Sequence, residues 1–219
     1  HLVPAGDTQV ARRIGLALAR LHSQSVVVER HHTLTNELEI LVDGLNIMRD
    51  RRPRWRESLD RIEQQSRECV SRLMKRNALV DQAACSTTVF TGIHRDFYPA
   101  QVLATDDQIS FVDCDLFAMG HPGIDLGNFA AHLRESALRE HADSNALICH
   151  EQAFIEAYRE LHPVDPQDIR DLTALSLVRH IYICHRIHSR RPFRYPMMKL
   201  CMNLLESLEG SICEMRGNQ

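Results

Sequence analysis

The sequence has no long apolar run and almost no lysine. No stretch approaches the roughly 20 apolar residues that span a bilayer, so we expect no membrane insertion. Only two of the 26 basic residues, at positions 75 and 199, are lysine. The net charge of −3 and the pI near 6.5 argue against a dedicated nucleic-acid binder, because such a domain usually carries a basic face. The hydrophobic share of 44% excludes disorder as the main state.

The cysteines are odd in number and irregularly spaced. There are seven cysteines and no Cys-x-x-Cys pair, so we expect no disulfide framework and favour a reducing cytoplasmic compartment. The first residues lack the basic, apolar and small-residue pattern from which we would expect a secretory leader, and the first of them is His rather than Met. We therefore expect a fragment of a longer protein.

Apolar residues at helical spacing predict helices on both sides of the middle of the chain. Asp7 is a candidate N-cap for the first helix, and Pro53 suits the first turn of a long third helix. Predicted helices cover 7–23, 35–48, the segment after Pro53, 125–139, 143–161, 166–189 and 195–213. The expected buried stripe of the third helix is Trp55, Leu59, Ile62, Cys69, Val70, Leu73 and Met74.

The middle of the chain has strand and turn signals instead. Residues 86–91 are rich in β-branched types and predict a strand. Residues 101–105 and 108–112 flank an Asp106-Asp107 turn and predict a short hairpin. The sequence therefore predicts a mainly α fold with a small β-hairpin insert.

The insert also concentrates polar groups that suit phosphoryl transfer. Asp96 lies in a loop, Gln101 follows five residues later, and the hairpin returns Asp113 to the same end. One carboxylate in such a set can orient a substrate hydroxyl and accept its proton. An amide oxygen and a second carboxylate can hold Mg²⁺ on nucleotide phosphates.

Three motifs in order resemble the aminoglycoside phosphotransferase and choline kinase family, whose members share the protein-kinase-like fold. The motifs are His94-x-Asp96-x4-Gln101, Phe111-Val112-Asp113-x-Asp115 and Gly120-His121-Pro122-x2-Asp125-Leu126. The helix ending at 17–22 also resembles the helix that enters the C-terminal lobe of these enzymes. Three ordered motifs are far more specific than any one of them. The resemblance covers essentially the whole chain.

The resemblance implies a role for each matching residue. Asp96 matches the catalytic base, Asp113 matches a Mg²⁺ ligand, and Gln101 stands where the family has an Asn ligand. Asp115 matches a commonly acidic position of less certain role. His94 and Asp125 match residues that brace the loop. The implied cofactors are Mg²⁺ and ATP, and the implied partner is a small molecule that offers a hydroxyl.

The sequence departs from the family pattern in three places. Gln101 is one methylene longer than Asn, so its amide oxygen reaches further and has more rotamer freedom, whereas Mg²⁺ demands near-ideal octahedral geometry. His121 replaces the usual Asp and is expected to change only loop bracing. There is no Gly-rich phosphate loop and no strand-borne lysine, so we expect residues 1–219 to form a single kinase-like C-terminal lobe, with the catalytic loop and metal-binding hairpin at about 86–126. The N-terminal lobe would come from the same gene or from another chain.

Several other readings stay open beside this one. A kinase-like lobe retained for binding alone, a pseudokinase, would explain the missing lobe. Asp113-x-Asp115 also occurs in glycosyltransferases that use nucleotide sugars, but the chain lacks the alternating strands and helices of those enzymes. His180, Cys184 and His188 share a helical face and could in principle bind zinc, although a buried stripe is the preferred interpretation.

Clusters of arginines and of carboxylates could each be a binding site or an ordinary exposed surface. The arginines at 49, 51, 52, 54 and 56 surround Trp55 and are read as a solvated linker rather than a base-stacking site. A second arginine cluster at 186–194 is read as surface. Glu135, Glu140 and Asp143 would suit a polycationic acceptor, but an exposed helix would show the same residues.

Overall fold

The computed structural model describes residues 6–24, 26, 28–83 and 90–217. These ranges form a mainly helical protein, as predicted. The helices are α1 (Gln9–His22), α2 (Leu34–Arg51), α3 (Arg56–Ala83), α4 (Gly123–His141), α5 (Ile148–Leu161), α6 (Pro166–Arg186) and α7 (Arg194–Gly217). The strands are β1 (His31–His32), β2 (Thr91–Ile93), β3 (Val102–Ala104), β4 (Ile109–Phe111) and β5 (Ala118–Gly120).

The short strands hold the central segment against the helices. β5 lies in the middle of a three-stranded sheet, parallel to β1 and antiparallel to β2. β3 and β4 form the separate antiparallel hairpin that the sequence predicts, with Val102 opposite Phe111. The strand predicted at 86–91 lies largely outside the described residues, and the observed β2 begins at Thr91.

Two apolar cores stabilise the helices. One lies among α2, α3, α6 and α7 and includes Leu45, Leu59 and Val178. The other lies among α1, α4 and α5 and contains the stacked rings of Phe97, Phe129 and Phe154. Burying apolar area of this kind supplies most of the favourable free energy of folding. The second core reaches directly under the loop that carries Asp96.

Helix ends differ modestly from the sequence expectations. Thr8 rather than Asp7 occupies the N-cap of α1, and the Asp7 Oδ1 accepts a hydrogen bond of 2.8 Å from the Gln9 amide. The helix predicted over 143–161 begins only at Ile148, because 144–147 form turns. The helix predicted over 166–189 ends at Arg186, and a 3-10 segment follows at His188–Phe193.

Met74 was expected in the buried stripe of α3, but 50% of it is exposed. Leu73 is fully buried. Adjacent helical residues lie about 100° apart around the axis, and here the turn that buries Leu73 leaves Met74 toward solvent. Trp55 is only partly buried, in the 3-10 turn Pro53–Trp55 that precedes α3.

The reading of the first arginine cluster as solvated is wrong for Arg49. This residue is 8% exposed. Its guanidinium donates to Asp60 at 2.7 Å and to Glu63 at 2.6 Å, and so ties the end of α2 to the first turns of α3.

None of the helices in the described ranges has the length and apolarity needed to cross a bilayer.

Candidate active site

The loop after β2 is anchored by buried residues on both sides of Asp96. His94 is fully buried, and its Nε2 lies 2.9 Å from the Val112 carbonyl oxygen. Phe97 is also fully buried and packs edge-on against Phe111 at 5.0 Å between ring centroids. Asp96 lies between these two anchors and is partly exposed. The loop therefore presents one carboxylate to solvent from a fixed backbone.

The Asp125 carboxylate accepts hydrogen bonds from the backbone of this loop. It lies in the first turn of α4 and has no exposed area. Its Oδ2 accepts from the His94 amide at 2.7 Å, and its Oδ1 accepts from the Arg95 amide at 2.7 Å. Both amides converge because Arg95 adopts a left-handed conformation with φ of 72°, which costs free energy for a non-glycine residue.

The Asp125 carboxylate has a third partner from α1. The His22 Nε2 lies 3.0 Å from the Asp125 Oδ2, and the His22 Nδ1 lies 2.7 Å from the Tyr158 hydroxyl. The Nε2–H tautomer satisfies both contacts: the ring donates to Asp125 and accepts from Tyr158. Burial raises the pKa of Tyr158, and the Asp125 charge adds to this effect. The hydroxyl therefore stays protonated and remains a donor.

Asp113 and Gln101 meet on the other side of the site. Asp113 is exposed and takes a left-handed conformation with φ of 61° at the end of the hairpin. The buried Gln101 donates from its Nε2 to the Asp113 Oδ2 at 3.2 Å and to the Tyr98 hydroxyl at 3.3 Å. The Val112 amide donates to the Gln101 carbonyl at 3.0 Å, which fixes the spacing between the two.

Tyr98 links the two carboxylates of the site. Its pKa is raised chiefly by burial and further by the negative charges of Asp96 and Asp113. The charges of both carboxylates therefore act on the Tyr98 hydroxyl. Gln101 and Asp113, which are 12 positions apart in the sequence, are in direct contact.

The donor set at Asp113 and Gln101 fits a magnesium ion. A carboxylate and an amide oxygen are hard ligands, and Mg²⁺ in proteins usually takes one or two carboxylates and completes its shell with water and phosphate oxygens. The described residues contain no group of three or more His, Cys, Asp or Glu that could hold a metal ion. A metal here would therefore depend on oxygens from a bound nucleotide.

The other residues of the motifs make contacts away from Gln101 and Asp113. Asp115 is exposed, and its carbonyl oxygen accepts from the Arg30 Nη1 at 2.5 Å. His121 accepts from the Gly123 amide at 3.0 Å, and its Nε2 lies 3.3 Å from the Asp168 carboxylate. Burial and the flanking Asp113 and Asp115 raise the pKa of the Cys114 thiol. That thiol is therefore not an activated nucleophile.

A column of aromatic side chains leads from Tyr98 into the helical core. Tyr98 stacks on His132 at 4.4 Å, and His132 meets His180 edge-on at 4.4 Å between ring centroids. Burial, with help from Arg190 and Arg179, lowers the pKa of His132 to about 3. Burial also lowers the pKa of His180, followed by the effects of His132 and the two arginines. Both imidazoles are therefore neutral at physiological pH.

The zinc interpretation gains no support from these positions. His180 and Cys184 are buried, whereas His188 is exposed in the 3-10 segment beyond α6. The sequence interpretation as a buried stripe holds for the first two only, because the helix ends before the third. Sequence reasoning missed the Tyr98–His132–His180 column, and Tyr98, two residues after Asp96, was the only signal of it.

Comparisons with known proteins agree with this arrangement. The model of the phosphotransferase enzyme family matches residues 1–164. A choline/ethanolamine kinase family protein from Mesorhizobium loti superposes with a TM-score of 0.59 and 15% identity, over 90% of this chain and 61% of that protein. A choline kinase from Cryptosporidium parvum gives a TM-score of 0.62 and 12% identity, over 93% of this chain and 66% of that kinase.

A third solved structure shares the same fold. A spectinomycin phosphotransferase bound to ADP and spectinomycin gives a TM-score of 0.53 and 13% identity, over 93% of this chain and 66% of that enzyme. The chain thus spans less than two thirds of these relatives. No curated protein sequence matches it. Because the family match covers most of the chain, this chain belongs to the phosphotransferase enzyme family.

Proposed function

We propose that the chain carries the catalytic loop and the metal-binding hairpin of a phosphotransferase that moves the γ-phosphoryl group of ATP to a hydroxyl of a small molecule. The observation that carries this proposal is the contact of the Gln101 amide with the Asp113 carboxylate and the Tyr98 hydroxyl, next to the anchored loop that bears Asp96. Phosphoryl transfer needs little beyond positioning and neutralisation of charge.

In this proposal Asp96 receives the acceptor hydroxyl. Its carboxylate accepts a hydrogen bond from that hydroxyl and aligns the oxygen with the γ-phosphorus. It takes the proton as the new oxygen–phosphorus bond forms, while the bond from the γ-phosphorus to the bridging oxygen breaks and ADP leaves. The buried anchors at His94, Phe97 and Asp125 support this role, because they keep the carboxylate fixed before substrate arrives.

Asp113 and Gln101 would hold the magnesium ion of the nucleotide. Asp113 offers a carboxylate oxygen, and Gln101 offers its Oε1 while its Nε2 stays on Asp113. A bound Mg²⁺ would supply neutralisation of the phosphate charge. The grip on adenine and phosphates would come from an additional N-terminal lobe, provided by the same gene or by another chain.

Two single substitutions test this assignment. Asp96→Asn should lower kcat for γ-phosphoryl transfer by about 10²–10⁴-fold and leave Mg-ATP affinity within about twofold. Asp113→Asn should abolish the part of the ATP affinity that needs Mg²⁺. Thermal unfolding with Mg-ATP, and with ATP plus chelator, measures binding directly, since ligand at 100 times Kd adds about 2.7 kcal/mol of stability. Unchanged transfer in Asp96→Asn would refute the base assignment.

A non-catalytic binding module is the second candidate. The contact between the Gln101 amide and the Asp113 carboxylate favours it, because this hydrogen bond occupies an oxygen that a metal would use. This candidate predicts that the Mg-ATP and chelated-ATP unfolding curves coincide and that Asp113→Asn changes neither.

A further inference from the structure

The side-chain amide nitrogen of Gln101 is shared between two oxygen acceptors. It donates to the Asp113 Oδ2 at 3.2 Å and to the Tyr98 hydroxyl at 3.3 Å, which accounts for both protons of the NH₂ group. A carboxylate only accepts hydrogen bonds, so the contact with Asp113 fixes which end of the amide is nitrogen. The Gln101 Oε1 therefore lies on the side of the amide away from both partners.

This Oε1 is left free by the described part of the chain. It accepts no hydrogen bond from any described residue, and it is not one of the buried polar atoms that lack a partner, so part of its surface stays accessible. The residue as a whole is only 8% exposed. A hard oxygen at the accessible point of a mostly buried side chain suits a cation such as Mg²⁺.

The contact with Asp113 alone would not hold this oxygen in place. Glutamine has three side-chain torsions, and the last of them is a broad sp³–sp² torsion. With that single contact, the amide plane could turn about the line from the Gln101 Nε2 to the Asp113 Oδ2 and carry the Oε1 through an arc. A second acceptor at the same nitrogen removes this rotation, and the Tyr98 hydroxyl supplies it.

Tyr98 is itself held by its backbone and by its ring. Its carbonyl oxygen accepts from the backbone amide of Gln101 at 2.9 Å across the 3-10 turn Pro99–Gln101. Its ring stacks on His132 at 4.4 Å between centroids, with 18° between the ring planes. His132 in turn meets the buried His180 edge-on. The hydroxyl therefore occupies a fixed point beside the Gln101 amide.

We propose that Tyr98 is a positioning residue for the metal: its hydroxyl fixes the direction of the Gln101 Oε1 toward a Mg²⁺ ion held with Asp113. This contact would offset the extra methylene that distinguishes Gln101 from asparagine, because Mg²⁺ tolerates little departure from octahedral geometry. The inference rests on the proposed function for the metal itself. Asp113 can serve as a ligand at the same time, since its Oδ1 accepts no hydrogen bond from the described residues while its Oδ2 stays on the amide.

Binding of Mn²⁺ together with ATP to the 219-residue chain tests this inference without turnover, because free Mn²⁺ is counted by its electron paramagnetic resonance signal. Tyr98→Phe keeps the ring on His132 and removes only the hydroxyl. Partners that orient a metal ligand typically matter by 10–100-fold, so we expect Mn²⁺ affinity to fall by about tenfold. Tyr195→Phe is the matched control, because Tyr195 is 54% exposed in α7, and it should leave Mn²⁺ affinity unchanged.

A double-mutant cycle with Gln101→Asn tests whether Tyr98 acts through the amide. Gln101→Asn removes the torsion that Tyr98 restrains and withdraws the amide from its 3.3 Å contact. Tyr98→Phe should therefore weaken Mn²⁺ binding far less in Gln101→Asn than in the parent, and the cycle measures this difference. An equal loss in both backgrounds would mean that Tyr98 acts on the nucleotide or the metal directly, which would overturn its positioning role.

The side-chain NH₂ signal of Gln101 reports the same contact by NMR in the metal-free chain. Gln101→Leu identifies the signal by its absence. Tyr98→Phe should shift it and speed its exchange with water, whereas Tyr195→Phe should do neither. This signal decides if Gln101→Asn binds no Mn²⁺.

The outcomes separate this inference from the function on which it rests. An unshifted Gln101 signal, or an unchanged Mn²⁺ affinity, in Tyr98→Phe would overturn the inference and leave the proposed function standing. A parent chain that binds no ATP in a Mn²⁺-dependent way would refute the metal-holding part of the proposed function, and this inference with it.

Discussion

The His22 Nε2 and the Asp125 Oδ2 lie 3.0 Å apart, and neither side chain has any exposed area. They are 103 positions apart in the sequence. This pair connects α1 to the first turn of α4, and through Asp125 to two backbone amides of the loop that carries Asp96. The position of the candidate base therefore depends on a polar network beneath it.

Replacing Asp125 by Asn should damage this network severely. The amide offers one acceptor oxygen for three donors and turns its NH₂ toward at least one of them. Breaking a buried charged network typically costs about 3–5 kcal/mol, and we expect a loss of this size in the free energy of unfolding by urea. Asp115→Asn is the matched control, because Asp115 is exposed, and it should change stability by less than about 0.5 kcal/mol. Equal losses would show that Asp125 does not hold the loop.

Acid should destabilise the protein through the buried histidines. The pKa of His132 is about 3 in the folded state, mainly because of burial, while an unfolded histidine has a pKa of about 6.5. Above pH 6.5 both states are neutral and nothing is lost. As pH falls from 6.5 toward 3, only the unfolded state gains the proton, so stability falls by up to about 1.4 kcal/mol per pH unit for each such residue.

Urea unfolding at pH 7.5, 6.5, 5.5 and 4.5 measures this slope. Between pH 6.5 and 4.5, His132→Gln should reduce the slope of the unfolding free energy against pH by the contribution of one proton, about 1.4 kcal/mol per pH unit. His141→Gln, at an exposed position at the end of the same helix, should keep the parent slope. A parent slope retained in His132→Gln would mean that His132 is protonated in the folded protein.

The close contact between α1 and α5 depends on a glycine. A Cβ at Gly15 would overlap the backbone carbonyl of Phe154, whereas one at Gly44 would lie 3.1 Å from the Tyr182 Cβ. Alanine normally stabilises a helix interior by about 0.5–1 kcal/mol over glycine. We expect Gly15→Ala to lower the free energy of unfolding by about 1–3 kcal/mol because of overpacking, and Gly44→Ala to stay within about 1 kcal/mol of the parent. If Gly44→Ala lost more unfolding free energy than Gly15→Ala, then α1 would lie further from α5 than it does in the structure.

The sequence predicts contacts that lie close along the chain better than contacts between distant helices. The spacing of Asp96, Gln101 and Asp113 follows from one loop and one hairpin, and the structure places Gln101 against Asp113. The pairing of Arg179 with Glu37 spans 142 positions and has no local signal. The same holds for Tyr98, His132 and His180, which come from three elements. The packing of α4 on α6 brings His132 to His180, and the loop after β2 places Tyr98 on His132.

Burial within a helix was also only partly predictable. The apolar pattern of α3 identifies Leu59, Ile62 and Leu73 as core, but it cannot decide between Leu73 and Met74, because that depends on which helix lies opposite. The arginine cluster shows a similar limit, because the burial of Arg49 depends on partners such as Asp60 and Glu63 in the next helix. The charge of Arg49 alone could not identify it as a buried residue that joins α2 to α3.

Gln101 offers a direct test of the metal site, because its side chain contacts both Asp113 and Tyr98. Gln101→Leu keeps a similar volume and removes the amide. Loss of a partly buried hydrogen bond should lower the free energy of unfolding by about 0.5–1.5 kcal/mol. If the Oε1 binds Mg²⁺, the variant should also lose at least tenfold in Mg-dependent ATP affinity, while ATP with chelator binds as before. Gln108→Leu, on the exposed hairpin turn, is the control and should change neither quantity. A variant that loses stability yet keeps its Mg-dependent affinity would assign Gln101 to positioning Asp113 alone, and the metal would then rest on one carboxylate and the nucleotide.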